Sequence, residues 1–470
     1  LGKMRIFTHL VLGKGSGGTV VYKGLWDRRE VAIKRLLKDS DDTEETDKEG
    51  QRASKEIELL ISSDHLPNIV RYYGQEEDSD FMYLALELCR TTLHEYVTTA
   101  SFSQRTGATI IGSNISDAEL IRQAHGVVSG VYQLHSLNVV HRDLKPRNIL
   151  LDAKGEPKIA DMGLGKKLAK HRSSFDSRVC GSVGWQPAEM IGIRSRVRPI
   201  PTGSPRRFEE KKEAPPVVSG RLTKAVDIFS AGCIVYYVLT RGKHPFGTEP
   251  EREYKIIHNK PDLSGLDHMP LAQELVRAML AREPKYRISA RDAVNHPLFW
   301  DDGKSLGFLQ DVSDRVVKVN SFALCAMMET NANDVVGLQW DKKLHHSLLA
   351  DLGRYRSYNF TSVCDCLRVI RNKKNHYLEL PKVAKAQLGS LPNGFHKYFA
   401  TRFPRLLIHS YITIGSFYVS RREEDSDRID FETFETYYKD LSERRLQHFC
   451  EMNRRRPCRG WWPRADIWAM

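Results

Sequence analysis

Four short motifs, occurring in one fixed order, constrain the fold of this chain more than any other feature. Glycines at 13, 15 and 18 are followed by VAIK at 31–34, HRDLKPRN at 141–148 and DMG at 161–163. Each motif alone is compatible with an ordinary strand or a surface loop. Together, in this order, they predict one folded unit that brings a lysine, two aspartates and an asparagine to a single phosphate-binding site.

The glycine-rich segment and the lysine after it suit the binding of a nucleotide. Gly13, Gly15 and Gly18 carry no Cβ, so the backbone there can close over phosphate groups. Lys34 follows about 16 residues later in an apolar stretch, and its ammonium group is expected to pair with phosphate oxygens. The segment 5–11 before the glycines alternates as a strand does.

The residues of the third and fourth motifs suit phosphoryl transfer. Asp143 can accept the proton of a substrate hydroxyl, and Lys145 can neutralise the transferred phosphoryl group. Asn148 and Asp161 supply the oxygen ligands that Mg²⁺ prefers.

On these motifs, residues 5–300 resemble a eukaryotic Ser/Thr protein kinase. The resemblance implies a bilobal α+β domain over 1–300, with an N-lobe to about residue 88 and a C-lobe from 89, that uses ATP or ADP with Mg²⁺. A helix predicted over 53–61 would then pair its Glu56 with Lys34, the alternative being that Glu56 and Glu58 are surface charges. The nucleotide contacts implied are Gly13, Gly15, Gly18, Val20, Ala32, Lys34, Glu56, Glu87 and Cys89, the last two in the linker that meets adenine.

Two departures from the family pattern need a structural answer. Met162 replaces the usual phenylalanine, an apolar exchange that alters the packing of the loop. The sequence Gln-Pro-Ala-Glu at 186–189 inverts the usual Ala-Pro-Glu order. Glu189 keeps its position and is expected to pair with Arg287, but the local turn should differ, which puts substrate docking in question.

Several segments depart from a compact kinase domain. An acidic insert (39–49) and a polar insert (98–115) are expected in the first half, and a helix capped by Ser116 and Glu119 follows them. The insert at 191–222 is basic and proline-rich, and it is either an RNA-contacting or an inert loop. Serines at 173, 174 and 177 are candidate phosphorylation sites, the alternative being exposed serines without a role.

Residues 301–420 predict a second, all-helical domain with a cluster that a kinase does not need. Arg371, Asn372 and His376 follow one another at i, i+1 and i+5, and Tyr358 lies upstream. Neighbouring helix positions do not share a face, so the cluster is expected at a helix end, where groups can converge on a phosphate. The alternative is a solvated basic helix face.

With the kinase motifs and the FPRLL segment at 403–407, this region resembles the ribonuclease domain of the inositol-requiring enzyme family of unfolded-protein sensors. The resemblance covers about 420 of the 470 residues. It implies that Tyr358, Arg371, Asn372 and His376 cleave RNA stem-loops without a metal and leave a 2′,3′-cyclic phosphate. His376 suits the acid, Arg371 and Asn372 stabilise the phosphorane, and Tyr358 assists as base if nearby cations activate it.

The family resemblance also implies partners and a place in the cell. Kinase pairing as a homodimer or larger oligomer would build the RNA site, in response to unfolded proteins. The net charge of +13 fits an anionic partner. We expect a cytosolic portion at the endoplasmic reticulum membrane, because no apolar stretch here spans a bilayer and the start at Leu1, without a signal peptide, fits a piece of a longer protein.

Two other interpretations remain open. In the first, the chain is a kinase whose helical domain is a non-catalytic dimerisation scaffold. In the second, it is a nucleotide-sensing pseudokinase that controls a ribonuclease. Residues 421–470 are charged and end in tryptophans, and they form either a docked helix near 431–446 or a disordered end.

Overall fold

The computed structural model of the chain divides into two compact units. One comprises Leu1–Leu263 with Val276–Ala290, and the other Ser264–Leu275 with Arg291–Met470. The acidic insert 39–49, Ser173, Ser177 and most of the insert 191–222 lie outside the described residues. The structure describes residues 2–15, 18–38, 56–106, 115–168, 174–176, 181–191, 221–318, 322–352, 357–422 and 432–454.

The first unit begins with a five-stranded antiparallel sheet in the order β1-β2-β3-β5-β4. Alternation along the third strand buries Val31 and Ile33 on one face of the sheet, as a strand with period two requires. The five strands are β1 (Met4–Lys14), β2 (Val20–Trp26), β3 (Arg29–Leu37), β4 (Tyr72–Glu77) and β5 (Phe81–Glu87).

Short strand pairs shape the loops that follow. One three-stranded sheet has the order β6-β8-β9, β7 pairs with β10, and β11 pairs with β12. Ser174 therefore lies on a strand, opposite Thr223. These strands are β6 (Thr91–Thr92), β7 (Val139–Val140), β8 (Ile149–Leu151), β9 (Pro157–Ile159), β10 (Lys166–Lys167), β11 (Ser174–Asp176) and β12 (Arg221–Thr223).

Helices make up the rest of the kinase-like region. The capping prediction is confirmed, because the Ser116 hydroxyl accepts the Glu119 N–H at 3.2 Å. The segment 98–106 of the polar insert continues a helix. The helices are α1 (56–63), α2 (Leu93–Thr106), α3 (Asp117–Ser136), α4 (188–191), α5 (Ala225–Leu239), α6 (Glu249–Ile257), α7 (Pro270–Met279) and α8 (Ala290–Val294).

The second unit is all-helical, which confirms the predicted α+β fold followed by an all-α region. Its core is rich in aromatic rings, with Trp340, Phe395 and Tyr411 fully buried. Its helices are α9 (Asp302–Lys318), α10 (Phe322–Glu329), α11 (Ala332–Val335), α12 (His346–Leu352), α13 (Val363–Asn375), α14 (Lys382–Leu388), α15 (Asn393–Arg402), α16 (Leu406–Arg422), α17 (Glu432–Tyr438) and α18 (Glu443–Arg454).

The structure resolves the alternative left open for the last fifty residues, as far as residue 454. Helices α17 and α18 bury Phe434, Tyr438, Leu446 and Phe449 in the core of the second unit. Within the ranges that the structure describes, no helix is both long and apolar enough to span a bilayer.

Candidate active sites

The lysine of strand β3 lies between two carboxylates. Lys34 Nζ is 2.6 Å from Glu56 Oε1 and 2.9 Å from Asp161 Oδ1, so the predicted pairing with Glu56 is confirmed. Burial opposes the charge on the buried Lys34, but Glu56 and Asp161 outweigh it and raise the pKa of Lys34. Lys34 therefore remains a cation, as phosphate binding requires.

The HRDLKPRN segment at 141–148, called the catalytic loop below, contains a compact hydrogen-bonded group. Lys145 Nζ lies 3.0 Å from Asp143 Oδ2 and 2.6 Å from the Ser182 hydroxyl. The Asn148 amide donates to the Asp143 carbonyl and carboxylate at 2.9 and 3.2 Å. Asp143 Oδ1 is buried without a hydrogen-bond partner among the described residues, and a substrate hydroxyl could supply one.

A buried aspartate fixes the backbone of this loop. The two carboxylate oxygens of Asp227 accept the backbone N–H groups of His141 and Arg142, both at 2.8 Å, and Oδ2 also lies 3.0 Å from His135 Nε2. Burial opposes ionisation of Asp227, but these contacts prevail and lower its pKa. The loop is therefore held by a charge that is present at neutral pH.

The inverted Gln-Pro-Ala-Glu sequence keeps its structural contact. Glu189 pairs with Arg287 through two parallel contacts of 2.5 and 2.9 Å, as predicted. Both side chains are almost fully buried. Pro187 precedes the short helix α4, and Gln186 is buried. The turn therefore positions Glu189 despite the change in order.

The three predicted glycine contacts lie at the end of β1 and in the connection from β1 to β2. Gly18 has a φ of +72°, which favours glycine, and Gly15 N–H donates to the Thr19 carbonyl at 2.8 Å. A Cβ on Gly13 would meet nothing within 4 Å. This open space leaves room for a phosphate to approach the backbone.

The remaining predicted contacts lie on β2, β3 and the linker after β5. Val20 begins β2, Ala32 lies in β3 opposite Leu86, and Glu87 ends β5. Burial, aided by Glu87, raises the pKa of the Cys89 thiol to about 12, so this thiol is neutral at pH 7.

The residues present fit a magnesium nucleotide. A carboxylate on Asp161 and an amide oxygen on Asn148 are hard oxygen donors of the kind that Mg²⁺ prefers, and such sites take their other ligands from phosphates and water. Lys34 and Asp143 complete a set suited to binding a nucleotide and accepting a hydroxyl proton.

The second cluster lies at the C-terminal end of α13, where it was predicted. The Asn372 amide donates to Tyr358 Oη at 3.2 Å, and Arg371 Nη1 donates to Asn372 Oδ1 at 3.1 Å. Arg371 is also ion-paired with Asp314 at 3.0 Å. Tyr358, Asn372 and Arg371 thus form a continuous polar row.

His376 lies just past the end of this helix. Its backbone N–H donates to the Asn372 carbonyl at 3.0 Å, so it is attached to the same last turn. Its ring does not join the polar row, because Nδ1 lies 3.0 Å from Glu379 Oε1. The side chain is 63% exposed and is therefore open to solvent beside the row.

A carboxylate from a neighbouring helix caps the start of α13. Glu329 accepts the Ser362 hydroxyl at 2.5 Å and the Val363 and Cys364 N–H groups at 3.0 Å each. Ser362 in turn accepts the Asp365 N–H. Glu329 thereby fixes the helix that carries the cluster and the loop that carries Tyr358.

Sequence reasoning missed the residues that orient the cluster. Glu379 holds the His376 ring, and the Arg368 guanidinium lies 5.2 Å from the centre of the Tyr358 ring. Glu379 follows His376 by three residues, a spacing that could have indicated the contact. Asp314 and Glu329 lie far away in sequence, and no local pattern indicates them.

Comparisons with known proteins match two protein families to this chain. The family described as protein kinase domain matches residues 8–201 and 212–299. The family described as ribonuclease 2-5A matches residues 305–429. The two matches contain the two clusters described above.

Curated relatives match most of this chain. The serine/threonine-protein kinase/endoribonuclease IRE1 of Oryza sativa subsp. japonica is 41% identical over 421 residues, which are 87% of this chain and 43% of the relative. The human serine/threonine-protein kinase/endoribonuclease IRE2 is 39% identical over 428 residues, or 88% and 42% of the two chains. The sensor for unfolded proteins in the ER of Schizosaccharomyces pombe is 38% identical over 423 residues, or 85% and 37%.

The chain spans half or less of the length of these curated relatives. The chain belongs to the inositol-requiring enzyme family, in which a serine/threonine-protein kinase domain is followed by a ribonuclease 2-5A domain.

Proposed function

We propose that this chain is a bifunctional enzyme, a Ser/Thr kinase that phosphorylates copies of itself and a metal-independent endoribonuclease that cleaves RNA stem-loops. One observation carries the proposal: a single chain holds both the Lys34–Glu56–Asp161 group and the Tyr358–Asn372–Arg371 row with His376 at the same helix end. Neither the scaffold nor the pseudokinase interpretation requires both groups.

In the proposed kinase reaction, Lys34 binds the nucleotide phosphates and Asp143 accepts the proton of the substrate hydroxyl. Asn148 and Asp161 would hold Mg²⁺, which neutralises charge on the phosphates when bound. Lys145, already hydrogen-bonded to Asp143, is placed to stabilise charge on the transferred phosphoryl group.

In the proposed ribonuclease reaction, a ribose 2′-hydroxyl attacks the adjacent phosphorus and the 5′-oxygen leaves. His376 protonates the leaving oxygen through Nε2, because Glu379 occupies Nδ1. Arg371 and Asn372 bind the phosphorane through donors not used in the row. Tyr358 Oη accepts from the Asn372 amide, and the Arg368 guanidinium lies 5.2 Å from the centre of its ring. In its ionised form Tyr358 takes up the proton of the attacking 2′-hydroxyl, while His376 supplies the proton that the leaving 5′-oxygen needs.

We also propose an assembly and a location. A homodimer or larger oligomer would bring two ribonuclease units to one RNA, since a stem-loop presents two strands. One relative is named a sensor for unfolded proteins in the ER, and we propose the same signalling role, on the cytosolic face of that membrane. The magnesium nucleotide belongs to the kinase site alone.

The test of the ribonuclease is cleavage of a structured RNA by the full chain in EDTA. We expect cleavage by wild type with 2′,3′-cyclic phosphate ends, and loss of about 10²-fold or more with His376→Ala, as for removal of a general acid. His258→Ala is a matched control, because His258 is an exposed histidine on the first unit. Cleavage unaffected by His376→Ala would refute this assignment and favour the scaffold interpretation.

The test of the kinase is incorporation of phosphate from ATP and Mg²⁺. Asp143→Asn should abolish incorporation while the protein still binds nucleotide through Lys34. No incorporation by wild type, together with nucleotide-dependent RNA cleavage, would support the pseudokinase interpretation instead.

A further inference from the structure

Two arginines lie at the two ends of a row of aromatic rings near Asp143, the proposed acceptor of the substrate hydroxyl proton. We propose that Arg147 and Arg252 bind anionic side chains of the protein substrate, so that the kinase prefers a serine or threonine flanked by acidic residues. This inference rests on the proposed kinase function.

Arg147 is part of the catalytic loop itself. It lies in the turn Pro146–Asn148, four residues after Asp143, and its side chain is exposed. Its Nη2 lies 3.3 Å from His94 Nε2, and His94 Nδ1 lies 2.9 Å from the Tyr237 hydroxyl. Burial of His94, then Arg147, lowers the pKa of this imidazole. His94 is therefore neutral at pH 7 and accepts from the guanidinium without cancelling its charge.

Arg252 lies at the other end of the row. Its guanidinium is 5.7 Å from the centre of the Trp185 ring, and its Nε donates to the Gly247 carbonyl at 3.3 Å. Trp185 meets the Tyr237 ring edge-on at 5.8 Å. The row therefore runs from Arg147 through His94, Tyr237 and Trp185 to Arg252, and both ends carry a positive charge.

The row adjoins the position where a substrate hydroxyl must bind. Lys145 joins Asp143 to the Ser182 hydroxyl, and Ser182 lies three residues before Trp185. A peptide whose hydroxyl reaches Asp143 would then have its flanking residues beside the two arginines.

Neither arginine is ion-paired with a carboxylate in the parts of the chain that the structure describes, and their partners there are a neutral imidazole, an aromatic ring and a carbonyl. By contrast, Arg122 pairs with Glu119 and Glu156. Guanidinium groups bind carboxylates and phosphates strongly through paired N–H donors. An anionic side chain of the substrate is thus the missing partner.

The experiment uses the full chain with ATP, Mg²⁺ and synthetic peptides. One peptide has the sequence of residues 38–50, which contains Ser40, Thr43 and Thr46 among acidic residues, and its match has Asn and Gln in place of Asp and Glu. A third peptide carries phosphoserine beside the acceptor. We expect the acidic peptide to be phosphorylated with a kcat/KM about fivefold to tenfold higher than its amide match, mainly through KM.

Substitutions of the arginines test which side chains cause the preference for the acidic peptide. Arg147→Glu and Arg252→Glu should each abolish it, Arg147→Lys should retain part of it, and Arg122→Ala should leave it unchanged. A preference for phosphoserine over glutamate would support the same site with phosphate as its anion. Equal rates on acidic and amide peptides from a chain that autophosphorylates would overturn this inference alone. Absence of any phosphorylation would overturn the proposed kinase as well.

Discussion

Replacing Glu329 by alanine should loosen the helix that carries the ribonuclease cluster. The change removes the acceptor of three hydrogen bonds and leaves the Val363 and Cys364 N–H groups, two of the four unpaired donors of α13, without a protein partner. Loss of a cap costs about 1 kcal/mol, and loss of the negative charge at a helix N-terminus adds roughly 0.3–1 kcal/mol. Because Glu329 is only partly buried and water replaces part of the loss, we expect a total of about 1–2 kcal/mol.

The assay is thermal unfolding of the full chain, followed by RNA cleavage on the same samples. A loss of about 1–2 kcal/mol should lower the melting temperature of the second unit by about 2–8 °C. Cleavage should fall because Tyr358 and Asn372 lose their fixed spacing, whereas phosphate incorporation should not change. Glu329→Gln retains one oxygen acceptor and should give an intermediate shift.

Glu435→Ala is the matched control, because Glu435 is an exposed glutamate on α17 whose side chain makes no hydrogen bond or ion pair with the described residues. If Glu329→Ala melts within about 1 °C of Glu435→Ala and cleaves RNA as wild type does, the capping argument is wrong.

Three further perturbations test other contacts. Glu189→Ala should destabilise the kinase unit by about 3–5 kcal/mol in chemical unfolding, because it leaves the buried Arg287 charge uncompensated; a loss under about 1 kcal/mol would contradict this. Burial, then Arg252, lowers the pKa of His244 to about 3. Between pH 6.5 and pH 3, His244 therefore binds a proton in the unfolded chain but not in the folded chain. As the pH falls through this range, the free energy of unfolding should decrease by up to about 1.4 kcal/mol per pH unit. Replacement of His244 by glutamine should flatten that slope in pH-dependent unfolding, and an unchanged slope would exclude His244. Arg445→Ala should melt the ribonuclease unit several degrees earlier than wild type, since Arg445 pairs with the buried Glu274 at 2.8 and 2.9 Å; an unaltered melting temperature would show that this pair is dispensable.

Local patterns predicted much of the fold and some of the site geometry. The pairings of Lys34 with Glu56 and of Glu189 with Arg287 follow from motifs of fixed order, and the geometry confirms both. The Ser116 cap and the helix end at His376 follow from spacing alone. The catalytic roles assigned to these residues remain proposals.

The rest depended on contacts between distant segments. Glu329 meets Ser362 across 33 residues, and nothing in the sequence near either one indicates the other. The sequence left a docked helix near 431–446 and a disordered end equally open, and the structure shows that the apolar residues of 432–454 recur at helical spacing and are buried. The amphipathic pattern in 432–454 is short and lies among many charged residues, so composition alone did not distinguish the two alternatives.

The burial of Phe434, Tyr438 and Phe449 affects how this protein can be produced in the laboratory. The ribonuclease family match ends at residue 429, and an expressed fragment cut there would lose all three rings. At roughly 2 kcal/mol for each buried ring, the loss of about 6 kcal/mol approaches the whole stability of an ordinary domain. Gly415 faces this region, and a Cβ there would lie 2.5 Å from the Phe449 ring. A fragment intended for RNA-cleavage measurements should therefore extend at least to residue 454, or insolubility would be mistaken for inactivity.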